Sequence, residues 1–443
     1  MKLRNLLFGT MIACAFAACS NEDDPINGGD QPNVAEGEAT LSVQVEGVKT
    51  KAAADEAITS LYVLVFKGTA ESATLEKVGK AGAGTSVLKT PVTSGNKKVV
   101  VIANISDPTS DNSNGIKLVE GTTTYSAAIA GLTKSFTQAA QVEADGKLSM
   151  GSKVYNVTLT VGKDNCLGFA ESTLTSDQAL AVVENGNSAT DAVKLYRNVA
   201  KITVAGMEFK AAAGNEGSSL VVKEVFLVHG KKMTKLVGAE GLEWGISEVA
   251  NASTSFLYGE SESYTEWVKR VQAAIGENGL PVFNYLADGV ESYKDYLYNV
   301  TAEKLVTGAA FYAYENTSDD ARTLLVVKGD YTREDVNKET KEFANRYYPI
   351  AVGVTGTITD NSSFNYGTAG RDKTIKGVLR NMQYNISAVL SGPGYDTPFG
   401  PKPGGEDPDQ PVDPTQPDGD TFISVNCQVV PFGQVTQGGI EIE

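Results

Sequence analysis

Short runs of alternating apolar and polar residues, separated by turn residues, recur along this chain and constrain its fold more than any other feature. In residues 39–48, Leu41, Val43 and Val45 fall on one side of an extended backbone and polar residues on the other. Similar strand-like runs occupy residues 58–66, 98–104, 153–161, 196–204, 219–228, 309–315, 323–328, 347–354 and 382–390. A period of two is typical of half-buried strands, so the sequence predicts an all-β fold of sandwich domains.

Two segments favour helices within this β pattern. Residues 177–183 do so weakly. Residues 263–275 do so more clearly, because Ser263 and Glu266 form a capping box and apolar residues then recur every four positions. The 443 residues suffice for two or three cores. The polar stretch 184–190 suggests an N-terminal domain over 39–189 and a C-terminal domain over 190–395.

The first 19 residues have the pattern of an export leader. Lys2 and Arg4 precede an apolar run over 6–15 that is too short to span a bilayer. Phe16-Ala17-Ala18-Cys19 then resembles a bacterial lipobox, so we expect Cys19 to carry lipid and to attach the precursor to the outer membrane. Residues 20–38 form a flexible tether whose acidic start resembles a surface-export signal.

The C-terminal end places one further strand beyond a long linker. Residues 396–420 are rich in Pro, Gly and Asp and cannot bury a core. The region 421–443 follows, and its alternating apolar residues are Ile423, Val425, Cys427 and Val429. Such a strand needs a sheet edge to pair with. Two options are open: it folds back onto its own domain, or it joins another copy of the chain.

The first and last strands have the same period and similar bulk, so each is suited to the same groove. Lys49 and Lys51 follow the first strand in a small-residue loop that suits a trypsin-like protease. Cleavage there would free Leu41, Val43 and Val45 to leave, and Ile423, Val425, Cys427 and Val429 of a neighbour could enter. Because each copy has one groove and one donor strand, this head-to-tail contact would build an open homopolymer.

Several longer stretches resemble the Bacteroidetes fimbrillins, the FimA/Mfa-like subunits of type V pili. They are LYRNVAKITV (195–204), FYAYENTSDD (311–320), GVLRNMQYNISAVLSGPG (377–394) and TFISVNCQVVPFGQV (421–435). The resemblance implies two transthyretin-like β-sandwich domains with minor helices, lipoprotein export, proteolytic loss of the first strand, and strand exchange in a cell-surface fimbria. It also implies a role in adhesion or biofilm formation, anchor and tip subunits as partners, and for this chain a stalk position. The best-known relatives are cut after an Arg, whereas this loop offers only Lys49 and Lys51.

Other classes of function find less support in the residues. A net charge of −16 argues against nucleic acid as a partner. No Gly-x-Ser-x-Gly elbow, phosphate loop or zinc spacing is present, and His229, the one histidine, is expected at the surface. A glycosidase-type pair of carboxylates is left open, since an acidic chain supplies many Asp and Glu residues. A monomeric glycan-binding surface lipoprotein is the alternative, with Trp244, Tyr285, Tyr293 and Tyr296 as stacking candidates. Whether Cys166 and Cys427 form a disulfide is left open.

Overall fold

The computed structural model describes most of the strand-forming part of the chain. The described residues are 37–45, 58–110, 114–135, 148–211, 215–231, 233–237, 256–257, 297–299, 310–317, 322–334, 338–353, 357–358, 377–395 and 422–431.

The described residues of the N-terminal part form eleven strands and one short helix, α1 (Tyr125–Gly131). The strands are β1 (Glu38–Gln44), β2 (Ser60–Lys67), β3 (Thr74–Gly82), β4 (Val87–Thr93), β5 (Gly95–Ala103), β6 (Thr133–Ser135), β7 (Met150–Ser152), β8 (Tyr155–Leu159), β9 (Asp164–Leu167), β10 (Gln178–Leu180) and β11 (Val182–Val183). A 3-10 turn covers Glu171–Thr173.

Two sheets of this part pack face to face. One has the order β10-β9-β1-β4, and the other has the order β11-β8-β5-β2-β3, with β7 pairing with β5. Their facing side chains share one core, in which Leu41 and Val43 meet Val63 and Val99. The opposite face of β2 and β5 packs with α1 in a second core that includes Leu64 and Phe66. Because β2 is buried on both faces, its sequence is apolar almost without interruption.

Where the structure describes the C-terminal part, it has thirteen further strands. They are β12 (Leu195–Arg197), β13 (Val199–Phe209), β14 (Ser219–Val228), β15 (Gly230–Lys231), β16 (Met233–Lys235), β17 (Phe256–Leu257), β18 (Leu297–Asn299), β19 (Ala310–Tyr314), β20 (Leu324–Glu334), β21 (Thr340–Ala351), β22 (Thr357–Ile358), β23 (Met382–Ser391) and β24 (Phe422–Pro431). One sheet has the order β19-β13-β23-β24-β22 and another β18-β14-β20-β21. Residues from both sheets, among them Ile202, Val225, Leu325 and Ile386, form one core.

A buried polar cluster ties the two parts together where β12 leads into β13. The Arg380 guanidinium is fully buried and donates hydrogen bonds to Asn198 Oδ1 at 2.7 Å and to Thr234 Oγ1 at 2.9 Å. It also forms an ion pair with Glu315. Asn198 in turn donates to Ser149 Oγ at 2.9 Å. A buried charge is tolerated only when it is paired and hydrogen-bonded, and here both conditions are met.

The predicted all-β class is confirmed. Each strand-like run predicted from the sequence overlaps a strand of the structure. The predicted helix over 177–183 is wrong, because this segment forms β10 and β11 as edge strands of the two sheets. The predicted helix over 263–275 lies outside the described residues. The domain limits 39–189 and 190–395, and the count of transthyretin-like domains, stay predictions.

Candidate functional site: the slot filled by the first strand

The first strand is an interior strand of its sheet. β1 pairs with β4 in antiparallel fashion along its whole length, from Glu38 opposite Thr93 to Gln44 opposite Val87. On its other side it pairs in parallel with β9, where Thr40 to Val43 lie beside Asp164 to Leu167. Removal of β1 would therefore leave a slot with hydrogen-bonding strands on both sides.

The side chains of β1 that face the core are fully packed. Leu41 and Val43 have no exposed surface, and Val45 is 1% exposed. They contact a cluster that includes Leu88 and Leu167 on the neighbouring strands, together with Val63, Val99 and Val157 of the facing sheet. The alternation predicted for residues 39–48 is therefore present over the described part of that segment.

The outer face of the same strand carries a polar contact. The Ser42 hydroxyl donates a 2.7 Å hydrogen bond to Asp164 Oδ1, and Lys89 Nζ lies 3.0 Å from Asp164 Oδ2. Burial disfavours the charge on Asp164, but the donors Ser42, Lys89 and Gln178 together outweigh burial and hold the pKa of its carboxyl below the ordinary value. This ion pair was not predicted, because DNCL (164–167) is too short to show a strand period.

Backbone contacts fix both ends of β1. At its start, Gly37 N–H donates to Ser94 Oγ at 3.0 Å. At its end, Val45 N–H donates to Ser86 O at 2.8 Å, and Val193 N–H donates to Gln44 O at 2.9 Å. Gly168, with φ of 89°, allows this last approach, since a Cβ there would lie 2.5 Å from Gln44 O. The slot therefore has a defined length as well as a defined face.

The trailing strand lies on its own chain in this structure. β24 pairs in antiparallel fashion with β23, and Ile423, Val425, Cys427 and Val429 lie opposite Leu390, Ala388, Ile386 and Tyr384. On its other side it pairs with β22 only at Gln428 and Val429. The structure thus shows the fold-back option that the sequence left open, and entry into a second copy remains a prediction.

His229 is buried, so its expected place at the surface is wrong. It is 2% exposed and has φ of 56° just after β14. Its ring Nδ1 lies 3.2 Å from Arg322 O, and its own carbonyl accepts from Asn316 Nδ2 and Thr323 Oγ1. Burial lowers the pKa of His229 to about 4, so the imidazole is neutral at physiological pH. It acts as a structural turn residue.

Other predicted site residues lie outside the described residues. These are the lipidation site Cys19, the processing sites Lys49 and Lys51, and the aromatic residues Trp244, Tyr285, Tyr293 and Tyr296. In the described ranges, Cys166 is a buried free thiol. The same ranges contain no group of three or more His, Cys, Asp or Glu that could hold a metal ion. They also contain no helix that is long and apolar enough to cross a membrane.

Known sequences resemble this chain along much of its length. Residues 34–197 match the family model described as major fimbrial subunit protein (FimA). The major fimbrium subunit FimA type-4 of Porphyromonas gingivalis is 26% identical over 98% of this chain and 98% of its own length. FimA type-2 of the same organism is 25% identical over 90% of this chain and 93% of its length. A match to FimA type-5 is 31% identical but spans only 18% of that protein.

Solved structures share the fold. A Parabacteroides distasonis protein named for cell adhesion has a TM-score of 0.60 at 22% identity, covering 90% of this chain and 100% of its own. A FimA fimbrilin from Porphyromonas gingivalis has a TM-score of 0.53 at 20% identity, covering 89% of this chain and 97% of its own.

The fold, in which β1 is an interior strand, is an all-β fold shared with a solved fimbrilin. In sequence the chain is similar to FimA fimbrial subunits, the group that its sequence motifs resemble.

Proposed function

We propose that the chain is a stalk subunit of a fimbrium that is exported as a lipoprotein and polymerises by strand exchange. Its role is structural rather than catalytic. The similarity to FimA sequences supports the function of a fimbrial subunit in general. The stalk position, the lipid at Cys19 and the exchange of strands are the parts that we propose beyond it.

One observation carries the proposal: the strand in the slot and the trailing strand share one residue pattern. Residues 41–45 read LSVQV and residues 423–427 read ISVNC. In both segments aliphatic or thiol side chains alternate with uncharged polar ones. The slot buries Leu41 and Val43 completely, and Ile423 and Val425 offer equal or similar volume at the same spacing. Volume-conserving exchanges of this kind are the ones that cores tolerate best.

Proteolytic cleavage after β1 starts polymerisation. β1 ends at Gln44, only a few residues before Lys49 and Lys51. A trypsin-like cut at either lysine leaves β1 held by non-covalent contacts alone, so it can depart. Before the cut, covalent attachment keeps β1 at a high effective concentration at its own slot, and a strand from another copy cannot compete. The precursor therefore stays monomeric.

The free energy of strand entry is sufficient for a stable filament. Burial of about four aliphatic side chains contributes about 6–12 kcal/mol before the hydrogen bonds of the two strand pairings are added. Ordering the linker over 396–420 and releasing β24 from β23 offset part of this gain. Since most contacts must break together for the strand to leave, we expect slow dissociation.

Each subunit then has one vacated slot and one donor strand. That arrangement gives a head-to-tail homopolymer with a free slot at one end and a free donor at the other. Anchor and tip subunits are the partners expected at these ends, and adhesion or biofilm formation at the cell surface is the expected role. A chain with both a removable first strand and a donor strand is suited to a position within the stalk of the fimbrium.

Limited proteolysis of the full chain tests the proposal. Trypsin should remove the segment up to Lys49 or Lys51, and the product should form ladders that resist mild heating. A variant that lacks residues 421–443 should be cleaved equally and remain a folded monomer. Equal polymerisation of that variant would show that the trailing strand is not the donor. A double substitution Lys49→Gln/Lys51→Gln is the control for the cut and should leave the precursor monomeric.

A further inference from the structure

We propose that Asp164 sets the register of the incoming strand by accepting from Ser424 the hydrogen bond that Ser42 donates within one chain. This inference rests on the strand exchange proposed above and adds the residues that select one alignment. Without such a selector, an alternating strand can shift by two residues and still present its apolar face to the core.

The Asp164 carboxylate is a specific receptor for a hydroxyl group. Its side chain is only 14% exposed, and its two oxygens are held by different partners: Ser42 Oγ at 2.7 Å and Lys89 Nζ at 3.0 Å. Ser42 itself is 3% exposed, so the position beside Asp164 Oδ1 has room only for a small side chain. When β1 leaves, Oδ1 loses its hydroxyl donor. An incoming strand covers this oxygen again. A partly buried carboxylate oxygen that is left without a donor is costly, so a strand that restores the bond is favoured.

Only one alignment of the trailing strand restores this bond with a serine. When Ile423 takes the place of Leu41, Ser424 takes the place of Ser42 and Val425 that of Val43. A shift by two residues brings Asn426 to the Ser42 position and Ile423 to the position of Ala39, which is 8% exposed. Both side chains are larger than those that the slot holds in the monomer. Hydrogen bonding and packing therefore favour the same register.

Disulfide trapping reads the register directly. Gln44 and Val87 are opposite each other on β1 and β4. The next pair, Val45 and Ser86, shares a backbone hydrogen bond. Because hydrogen-bonded and non-hydrogen-bonded pairs alternate along antiparallel strands, Gln44 and Val87 form a non-hydrogen-bonded pair, whose Cα atoms are close enough for a disulfide. In the proposed register Asn426 lies opposite Val87, and after a shift by two Gln428 does. The variants Val87→Cys/Asn426→Cys and Val87→Cys/Gln428→Cys therefore distinguish the two alignments.

The full chain carrying each pair is cleaved with trypsin, polymerised and oxidised mildly. Covalent dimers and longer species are then quantified, and the linked peptides are identified by mass spectrometry, which separates the new bonds from any that involve Cys166 or Cys427. The 87–426 bond should dominate. In Ser424→Ala or Asp164→Ala backgrounds, the ratio of 87–426 to 87–428 bonds should fall about tenfold, as expected for loss of one hydrogen bond to a charged group. Ser424→Thr keeps the hydroxyl and should retain the parent ratio.

The outcomes separate this inference from the proposed function. Filaments in which the 87–428 bond dominates, or an unchanged ratio in Ser424→Ala and Asp164→Ala, would overturn the role of Asp164 and leave strand exchange standing. If the unsubstituted cleaved chain forms no filaments, the proposed function fails and the register inference fails with it.

Discussion

Cys166 on β9 lies directly beside Ser42 on β1, on the face of the sheet opposite to Leu41 and Val43. Parallel neighbours in register point to the same side, and Leu167, the next residue of β9, points into the core. The thiol therefore belongs to the outer face of the slot, and this placement bears on the question of a disulfide.

The first prediction is that Cys166 and Cys427 do not pair in the filament. In the proposed register Cys427 takes the place of Val45, which faces the core, while Cys166 faces outward. Non-reducing electrophoresis of filaments should show no covalent species joined through these residues, and Cys166→Ala should give the same pattern. Dimer-size species that disappear on reduction and in Cys166→Ala would contradict the prediction.

The second prediction concerns the reactivity of the same thiol. Burial, together with the charge of Asp164, raises the pKa of Cys166 to about 11, so little thiolate is present at pH 8. Iodoacetamide should label Cys166 at least tenfold more slowly in the folded chain than in urea. Peptide mass spectrometry measures the labelling. Equal rates in both conditions would show that the outer face of β9 is open to solvent.

The third prediction concerns the buried ion pair between Arg380 and Glu315 in the C-terminal part of the chain. Arg380→Met leaves the Glu315 carboxylate buried without its cation, so the free energy of unfolding should fall by about 3–5 kcal/mol. The double variant Arg380→Met/Glu315→Leu removes both charges and should recover part of this loss. Urea denaturation followed by far-UV circular dichroism measures both. A double variant less stable than Arg380→Met would contradict the account.

The fourth prediction follows from His229. Its pKa is about 4 in the folded chain and about 6.5 when unfolded, so the unfolded state binds more protons between these values. Its contribution to stability is therefore full above pH 6.5 and is lost as the pH falls towards 4. His229→Asn tolerates the positive φ and cannot titrate. The stability of the parent relative to this variant should decrease by up to about 3 kcal/mol between pH 7 and 4. A constant difference would contradict the burial of a neutral imidazole.

The sequence predicted the elements whose periodicity is strong. β1, β2, β14 and β23 follow from alternating or continuous apolar runs, because burial on one or both faces imposes those patterns. β9 and β10 could not be predicted in this way, since segments of three or four residues show no period and their pairing is decided by residues distant in sequence. The slot residues Leu41, Val43 and Val45 were predictable for the same reason as β1, whereas Asp164 was not.

His229 and the trailing strand show two further limits. A histidine at the end of a strand looks exposed, but the backbone turn at His229 directs the ring inward, and only tertiary contacts reveal this. For β24 the pattern predicted a strand and its need for a partner edge. It left the choice of edge open, because the fold-back onto β23 and entry into another copy satisfy the same period.

In the proposed exchange, the apolar face of the trailing strand fills the slot of a neighbouring subunit. Val425→Asp places a carboxylate on that face, and Asn426→Asp places the same charge on the opposite face of the same strand. Both chains are checked for folding by circular dichroism, cleaved with trypsin, and examined by electron microscopy. Filaments should be abundant for Asn426→Asp and at least a hundredfold fewer for Val425→Asp, since burial of an unpaired charge opposes entry. Equal filament formation by the two variants would contradict the proposed exchange.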